Sequence, residues 1–298
     1  MSRLGEIGLY GKIAAQPDFA RAGAGAFSRA GLDRWLQDGM EMLRAERTTL
    51  PAAPTAFMLA PPDSAVAFVG AFAPSADAAG RVFPLAIFAE VGAQDFASAF
   101  PAWPAEYAPF VAGAAALALA GATADATELS ARAASLATAP FGSAPAWEGE
   151  AISSLRDSLG GSAGGLAYAV STLLGAIQAT KSAPAGKSSL TLDFPAPTAA
   201  LRAFWLEVIR RRLDAREGGP SVFWSDGPEG RTLVTLGPPS AGAFAYLANP
   251  RHRSNRLWPL QTTVASAIDQ ATVSLAPQLR RVVDDPSATL KDLAAALA

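Results

Sequence analysis

The chain has 298 residues, half of them apolar, with no cysteine and a single histidine. The absence of cysteine excludes disulfides, thiol catalysis and zinc sites with thiolate ligands, and one imidazole cannot build a multi-histidine metal site. The 24 basic and 26 acidic residues leave a net charge of −2, without the positive excess that binds a phosphate backbone, so we expect no nucleic-acid partner.

The N-terminal segment predicts a strand that runs into a turn. Residues 7–13 combine apolar side chains with interspersed glycines, and Gln16, Pro17 and Asp18 provide residues typical of turns. Glu6 and the glycines interrupt the apolar run that a signal peptide would need, so we expect a cytoplasmic protein.

The next segments predict one helix and three strands. From Phe27 to Leu43, apolar side chains recur at helical spacing, which predicts one amphipathic helix. Thr55 to Ala60, Ala65 to Phe72 and Val82 to Val91 are short apolar runs bounded by proline and glycine, a pattern typical of strands.

The second and third of these strands decide the fold class. Their apolar side chains point to both faces, so helices should cover the sheet on both sides. The connection over residues 73–81 is too short for a parallel crossover, which predicts antiparallel pairing. We therefore expect an α/β fold, a three-layer α-β-α sandwich with a mixed, largely antiparallel central sheet.

The middle of the chain is rich in alanine, serine and glycine. Helices are predicted near Glu128–Leu136, Ala151–Leu159 and Gly165–Thr180. The longest apolar tract, roughly Phe110 to Ala122, is far shorter than the ~20 residues that cross a bilayer, so we expect no membrane insertion.

The composition of this middle region also bears on domain organisation. Its few large apolar side chains would form only a small core alone. We therefore interpret residues from about 119 to 186 as a helical insert in one domain, whose core comprises residues 5–118 and 187–298.

The C-terminal part of the chain returns to clear periodicity. It predicts a strand over 189–194, a helix over 201–213, strands over 222–225 and 231–236, and a final helix after Pro286. The residues Asp226 to Gly230 favour a hairpin between the last two strands. Ser287 is the predicted N-cap of the final helix.

Several apparent catalytic motifs do not have the required context. Gly186-Lys187-Ser188 matches the end of a phosphate-binding loop motif. That motif also requires a glycine at position 181, where this chain has Lys181, so we predict an ordinary loop. His252 could belong to a catalytic triad only with a nucleophilic serine, but the sequence contains no G-x-S-x-G motif. We therefore expect His252 at the surface or in a capping role. We expect no metal and no cofactor.

Two polar loops are stronger candidates for function. Lys12 and Asp18 lie on either side of the first turn and are expected close together at one end of the sheet. Asp77 and Arg81 lie in the loop between the predicted strands Ala65–Phe72 and Val82–Val91. Asp77 can bond backbone groups of its own turn, and Gly80 can adopt the left-handed conformation that such a turn needs. Asp77 and Arg81 therefore either lock the loop, form an ion pair or present a polar recognition edge.

These segments also carry a family resemblance. The motifs G-L-Y-G-K with P-D-F, D-R-W-L-Q-D-G, and P-S-A-D-A-A-G-R-V-F-P-L follow one another over residues 5–91, and P-S-V-F-W-S-D-G and L-G-P-P-S-A-G-A-F lie in residues 220–247. Their order and spacing resemble the TagF family, also called ImpM, accessory proteins of bacterial type VI secretion.

The resemblance implies a single TagF-like domain with an α-β-α sandwich fold, a cytoplasmic location and no established catalytic residues. It also implies a post-translational repressor of the secretion apparatus, acting through a scaffold with a forkhead-associated domain or another assembly component. We expect the partner-binding surface at the loop end of the sheet, comprising Lys12, Asp18, Phe19, Asp77, Arg81 and Trp224.

Three alternatives stay open at this point. Trp224 is either an aromatic anchor for the partner or simply a core side chain. The protein is either a repressor or a structural subunit that stays in the assembled machine. It could also be a hydrolase that uses Asp18 and Asp77 in one pocket, which would require a cleft holding both carboxylates and a displaced pKa.

Overall fold

The structure, a computed structural model, describes residues 4–62, 64–94, 96, 100–121, 123–138, 141–183, 190–213, 219–226 and 230–298. Within them, nine strands form one sheet. The strands are β1 (Ile7–Gly11), β2 (Ala20–Ala22), β3 (Thr55–Leu59), β4 (Val66–Ala73), β5 (Leu85–Gly92), β6 (Thr191–Pro195), β7 (Ser221–Trp224), β8 (Arg231–Thr235) and β9 (Leu257–Pro259).

The strand order is β2-β1-β5-β4-β3-β7-β8-β6-β9. Strands β4 and β5 pair antiparallel in continuous register from Val66 opposite Gly92 to Ala73 opposite Leu85. Every neighbouring pair in this sheet is antiparallel except β6 and β9, which are parallel. The predicted mixed, largely antiparallel sheet is confirmed.

Helices cover both faces of the sheet, as the two-sided apolar strands require. The described residues contain twelve α-helices: α1 (Gly25–Arg29), α2 (Leu32–Ala45), α3 (Trp103–Glu106), α4 (Ala108–Ala120), α5 (Ala126–Ser135), α6 (Ile152–Ser158), α7 (Ala163–Ser182), α8 (Ala199–Arg212), α9 (Gly242–Ala248), α10 (Ala265–Ser274), α11 (Pro277–Asp284) and α12 (Leu290–Ala296).

Each face of the sheet carries its own hydrophobic cluster. Helices α1, α2 and α9 pack on an aromatic face, where Phe27 stacks on Phe88 and Phe72 stacks on Phe244. Helices α4 and α8 contribute to a more aliphatic cluster on the other face, which includes Ile87. The α-β-α layering is therefore confirmed.

The helix predicted over Phe27–Leu43 is two helices, so that prediction was wrong. Gly31 separates α1 from α2 with φ of 72°. This left-handed conformation is readily available to glycine, and it ends the first helix before the second begins. The apolar spacing continues across the break, which is why the sequence pattern shows a single helix.

The middle of the chain forms helices close to the predicted positions. Leu129 of α5, Leu155 of α6 and Leu173 of α7 belong to the same hydrophobic cluster as the sheet. The division of the chain into core and insert stays a prediction. No single helix of the described ranges is both long and apolar enough to cross a membrane; α6 and α7 meet both requirements only as a pair, and that pair is bent by 85°.

Some predictions concern residues that lie outside the described ranges. Gly186-Lys187-Ser188 lies outside the described residues, as do residues 227–229 of the predicted hairpin turn. The strands that flank this turn, β7 and β8, pair antiparallel as expected.

The final helix begins later than its predicted cap. Thr289, and not Ser287, is the N-cap of α12: its hydroxyl accepts from the Asp292 amide at 3.3 Å. The Asp292 carboxylate in turn accepts from the Thr289 amide at 2.8 Å, completing a capping box. Ser287 instead donates its hydroxyl to Asp285 at 2.7 Å.

Candidate functional site

The two candidate loops lie at the same end of the sheet. Gly11, the last residue of β1, pairs with Leu85, the first residue of β5. Ala73, the last residue of β4, also pairs with Leu85. Lys12 therefore lies beside the connection between β4 and β5, which we call the 74–84 loop.

Asp77 is the centre of the 74–84 loop. Its carboxylate is fully buried and accepts from Lys12 Nζ at 2.6 Å and from Arg81 Nε at 2.7 Å, both through Oδ2. Its Oδ1 accepts from the backbone amides of Ala79 at 3.0 Å and Arg81 at 2.9 Å. The structure therefore contains both the backbone lock and the ion pair that the sequence suggested.

These contacts fix the charge of Asp77. Burial alone would raise the pKa of its carboxyl, but the hydrogen bonds from Lys12, from the backbone and side chain of Arg81 and from the Ala79 amide outweigh burial. The resulting pKa lies well below the usual range for aspartate. A carboxylate held in this way stays ionised and is a poor proton acceptor near neutral pH.

Backbone geometry completes the 74–84 loop. Gly80 has φ of 75°, the left-handed conformation expected of it, and its amide donates to the Asp77 carbonyl at 2.9 Å. The Ala78 amide donates to the Gln16 carbonyl at 3.1 Å, and the Arg81 guanidinium donates to the Pro17 carbonyl. The 74–84 loop and the turn after β1 therefore form one structural unit.

The Phe19 side chain packs within this unit, whereas the Asp18 side chain is exposed outside it. The Phe19 ring stacks on Tyr10 at 5.3 Å and meets Phe83 edge-on at 4.9 Å, and Lys12 Nζ lies 5.5 Å from its centroid. Asp18 is exposed, and its carbonyl accepts from the Gln16 side chain at 3.3 Å. Packing thus holds Phe19 in place, while the Asp18 carboxylate faces solvent.

A cleft of about 590 Å³ opens beside the 74–84 loop, between this loop and the C-terminal half of α2. We call it the Arg44 cleft. Its lining is Lys12, Met40, Leu43, Arg44, Thr48, Thr49, Leu50, Pro74, Arg81, Val82 and Pro84. Arg44 and Val82 were not singled out from the sequence, because their role depends on how α2 packs beside the loop.

Comparison with known proteins identifies the segment that carries this site. Residues 8–137 match the sequence model of the TagF N-terminal domain, described as type VI secretion system-associated. Residues 8–137 are a TagF N-terminal domain. The TagF resemblance is thereby confirmed for this segment, which contains Lys12, Asp77, Arg81 and the whole lining of the Arg44 cleft.

Other comparisons add less. No curated protein matches the chain. Among solved structures, the crystal structure of PA0076 from Pseudomonas aeruginosa PAO1 matches with 20% identity and a TM-score of 0.49, covering 85% of this chain and 98% of that one.

Trp224 lies outside the TagF N-terminal domain and inside the core. It ends β7 at the same end of the sheet, since it pairs with Ala56 near the start of β3, but it is only 1% exposed. The Arg202 guanidinium covers its ring at 5.4 Å. Trp224 is therefore covered by protein and is not an exposed anchor.

Arg202 forms a second polar cluster that was not predicted from the sequence. It is buried, and it donates to Asp226 at 2.8 Å and to the Thr232 hydroxyl at 3.3 Å. Burial lowers the pKa of Arg202, and the Asp226 carboxylate partly opposes this. In the sequence of α8, Arg202 lies within a run of apolar residues. A charged residue in such a run was the one signal in the sequence that could have indicated this cluster.

The described residues offer no group of three or more histidine, aspartate or glutamate side chains that could hold a metal ion. The side chains of residues 8–137 that meet at this site are instead the three cations Lys12, Arg44 and Arg81, one carboxylate shared by Lys12 and Arg81, and an apolar wall. Such a set can attract a carboxylate through its cations and cover an apolar side chain with its wall.

Proposed function

We propose that this chain is a non-enzymatic regulator of type VI secretion that acts by binding a protein partner in the cytoplasm. The observation that carries this proposal is the TagF N-terminal domain over residues 8–137, which links the chain to that secretion system. The loop end of the sheet, where Lys12, Asp77 and Arg81 meet, is the proposed partner surface.

The chemistry of the site supports binding over catalysis. A carboxylate-dependent hydrolase would need Asp18 and Asp77 in one cleft with at least one carboxyl ready to exchange a proton. Asp77 is instead held ionised by four hydrogen bonds, and the Asp18 side chain faces solvent. This arrangement favours an organised surface.

The proposed mechanism is occupancy. A partner held by a surface of about 800 Å² per side cannot use that surface in assembly, so modest affinity restrains secretion when the partner is scarce. The proposed partner is a scaffold protein with a forkhead-associated domain, or another assembly component.

Deletion of the gene tests the proposal and separates it from its rival. In a strain with an active type VI system, we expect more secreted spike protein after deletion and a return to the original amount on complementation with the wild-type chain. Abolished secretion would show that the chain is a structural subunit, and unchanged secretion would contradict regulation.

A further inference from the structure

We propose that the Arg44 cleft binds a short extended segment of the protein partner in which acidic and apolar side chains alternate. Carboxylates would contact Arg44 and Arg81, and apolar side chains would pack against Val82. The inference rests on the proposed function, since it specifies the chemistry of the partner at the same site.

The apolar lining of the Arg44 cleft is the reason to expect apolar side chains in the bound segment. Met40, Leu43, Leu50, Pro74, Val82 and Pro84 contribute most of its wall. Val82 is 53% exposed and is one of the few large apolar side chains that the described surface leaves open to water. Covering it with an apolar side chain of the partner would remove that surface from water, which favours association.

The charges of the Arg44 cleft explain the acidic half. Lys12, Arg44 and Arg81 line it, and its described lining includes no carboxylate. Asp77 lies behind Lys12 and Arg81, is fully buried and is shared between them. One buried negative charge among three cations leaves the cleft electropositive, although the whole chain carries a net charge of −2.

Arg81 is positioned in advance for this contact. Its Nε donates to Asp77 at 2.7 Å and another of its nitrogens donates to the Pro17 carbonyl, yet its side chain is 60% exposed. The guanidinium therefore has a fixed orientation while part of it faces solvent. A cation held before binding loses less conformational freedom when a carboxylate arrives.

Size and charge also limit what the Arg44 cleft holds. A volume of about 590 Å³ is that of a small-ligand site. A helix with its side chains is ~10 Å across, so the cleft fits a few side chains of an extended segment better than a whole helix. Three cations around one apolar wall do not form the long basic track that a nucleic acid requires.

A peptide titration tests the inference. The probes are fluorescein-labelled octapeptides of alternating glutamate and leucine, lysine and leucine, or glutamate and serine, with binding followed by fluorescence polarisation. We expect the glutamate–leucine peptide to bind best, to weaken with added salt because surface charges are screened, and to bind about tenfold more weakly to Arg44→Glu and Val82→Glu.

Matched substitutions serve as controls. Arg34→Glu makes the same charge change on the exposed side of the same helix, α2. Val264→Glu matches Val82→Glu, because Val264 is 55% exposed and lies outside the Arg44 cleft. Both controls should bind like the wild-type chain, and circular dichroism should show that all four variants are folded.

Three results would overturn the inference: no binding of the glutamate–leucine peptide, equal binding by the cleft and control variants, or equal binding of the lysine–leucine peptide. The titration uses the purified chain alone, so its failure leaves the secretion phenotype of the gene deletion unaffected. Conversely, a deletion without phenotype would contradict the regulatory proposal even if the peptide binds the cleft.

Discussion

Replacement of Gly80 by alanine should weaken regulation through the backbone of the 74–84 loop. Gly80 has φ of 75°, and a Cβ added there would meet no atom within 4 Å. The substitution therefore causes no clash, and its cost is conformational. The resulting backbone strain lies between the amides of Ala79 and Arg81, both of which donate to the Asp77 carboxylate.

The magnitude follows from two opposing effects. A left-handed conformation costs a residue with a side chain about 1–2 kcal/mol. Alanine also restricts the unfolded chain, which offsets about 0.4–1 kcal/mol of that cost. We expect a net loss of about 1 kcal/mol in the free energy of unfolding, which lowers the Tm of a chain of this size by about 2 °C.

Gly31 provides a matched control for this prediction. It has φ of 72°, and a Cβ added there would also meet no atom within 4 Å, but it lies between α1 and α2. Gly31→Ala should lower Tm by the same amount as Gly80→Ala. In the deletion strain, however, only Gly80→Ala should restore repression of spike secretion incompletely, and Gly80→Asn should do better because asparagine tolerates this conformation.

Two outcomes would refute this reasoning. If Gly80→Ala leaves Tm unchanged or raises it, the loop does not need a left-handed residue at this position. If Gly31→Ala and Gly80→Ala reduce repression equally, then the loss reflects stability and not the conformation of the 74–84 loop.

Three further predictions concern stability, each measured by urea unfolding. Asp226→Asn should cost about 1–3 kcal/mol because it leaves the buried Arg202 charge without a compensating carboxylate, whereas Arg202→Met should cost less; the reverse order would contradict the pairing. Because the folded pKa of Asp77 is lowered, its stabilisation is complete above the ordinary aspartate pKa of ~3.9 and is lost as pH falls below it. The stability difference between the wild-type chain and Asp77→Asn should therefore shrink from pH 7 to pH 3, and a constant difference would exclude this linkage. Gly39→Ala should cost about 1–3 kcal/mol, because the new Cβ would lie 2.3 Å from the Phe244 ring, and a neutral effect would show that α2 and α9 can separate.

The sequence predicted the central sheet well because its signal is local. Apolar side chains on both faces of the runs ending at Phe72 and Val91, with a connection too short for a crossover, require a covered antiparallel pair, which is what β4 and β5 form. Two of the failures arose where individual residues override a pattern in the sequence. Gly31 breaks a continuous helical spacing, and Thr289 with Asp292 forms a better cap than Ser287.

The candidate site was predictable only in part. The spacing of Asp77, Gly80 and Arg81 indicates a turn held by its own carboxylate, and the structure has that turn. The Lys12 contact depends on the pairing of β1 with β5, which the sequence did not specify. The covering of Trp224 by Arg202, which lies 22 residues earlier in the chain, likewise depends on tertiary packing.

Titration of the chain with a purified scaffold protein that carries a forkhead-associated domain tests the central claim most directly. By isothermal titration calorimetry, we expect a saturable complex with the wild-type chain and with Arg34→Glu, and about tenfold weaker binding of Arg44→Glu. Absence of any complex at millimolar concentrations, or equal affinity of the three chains, would contradict the account.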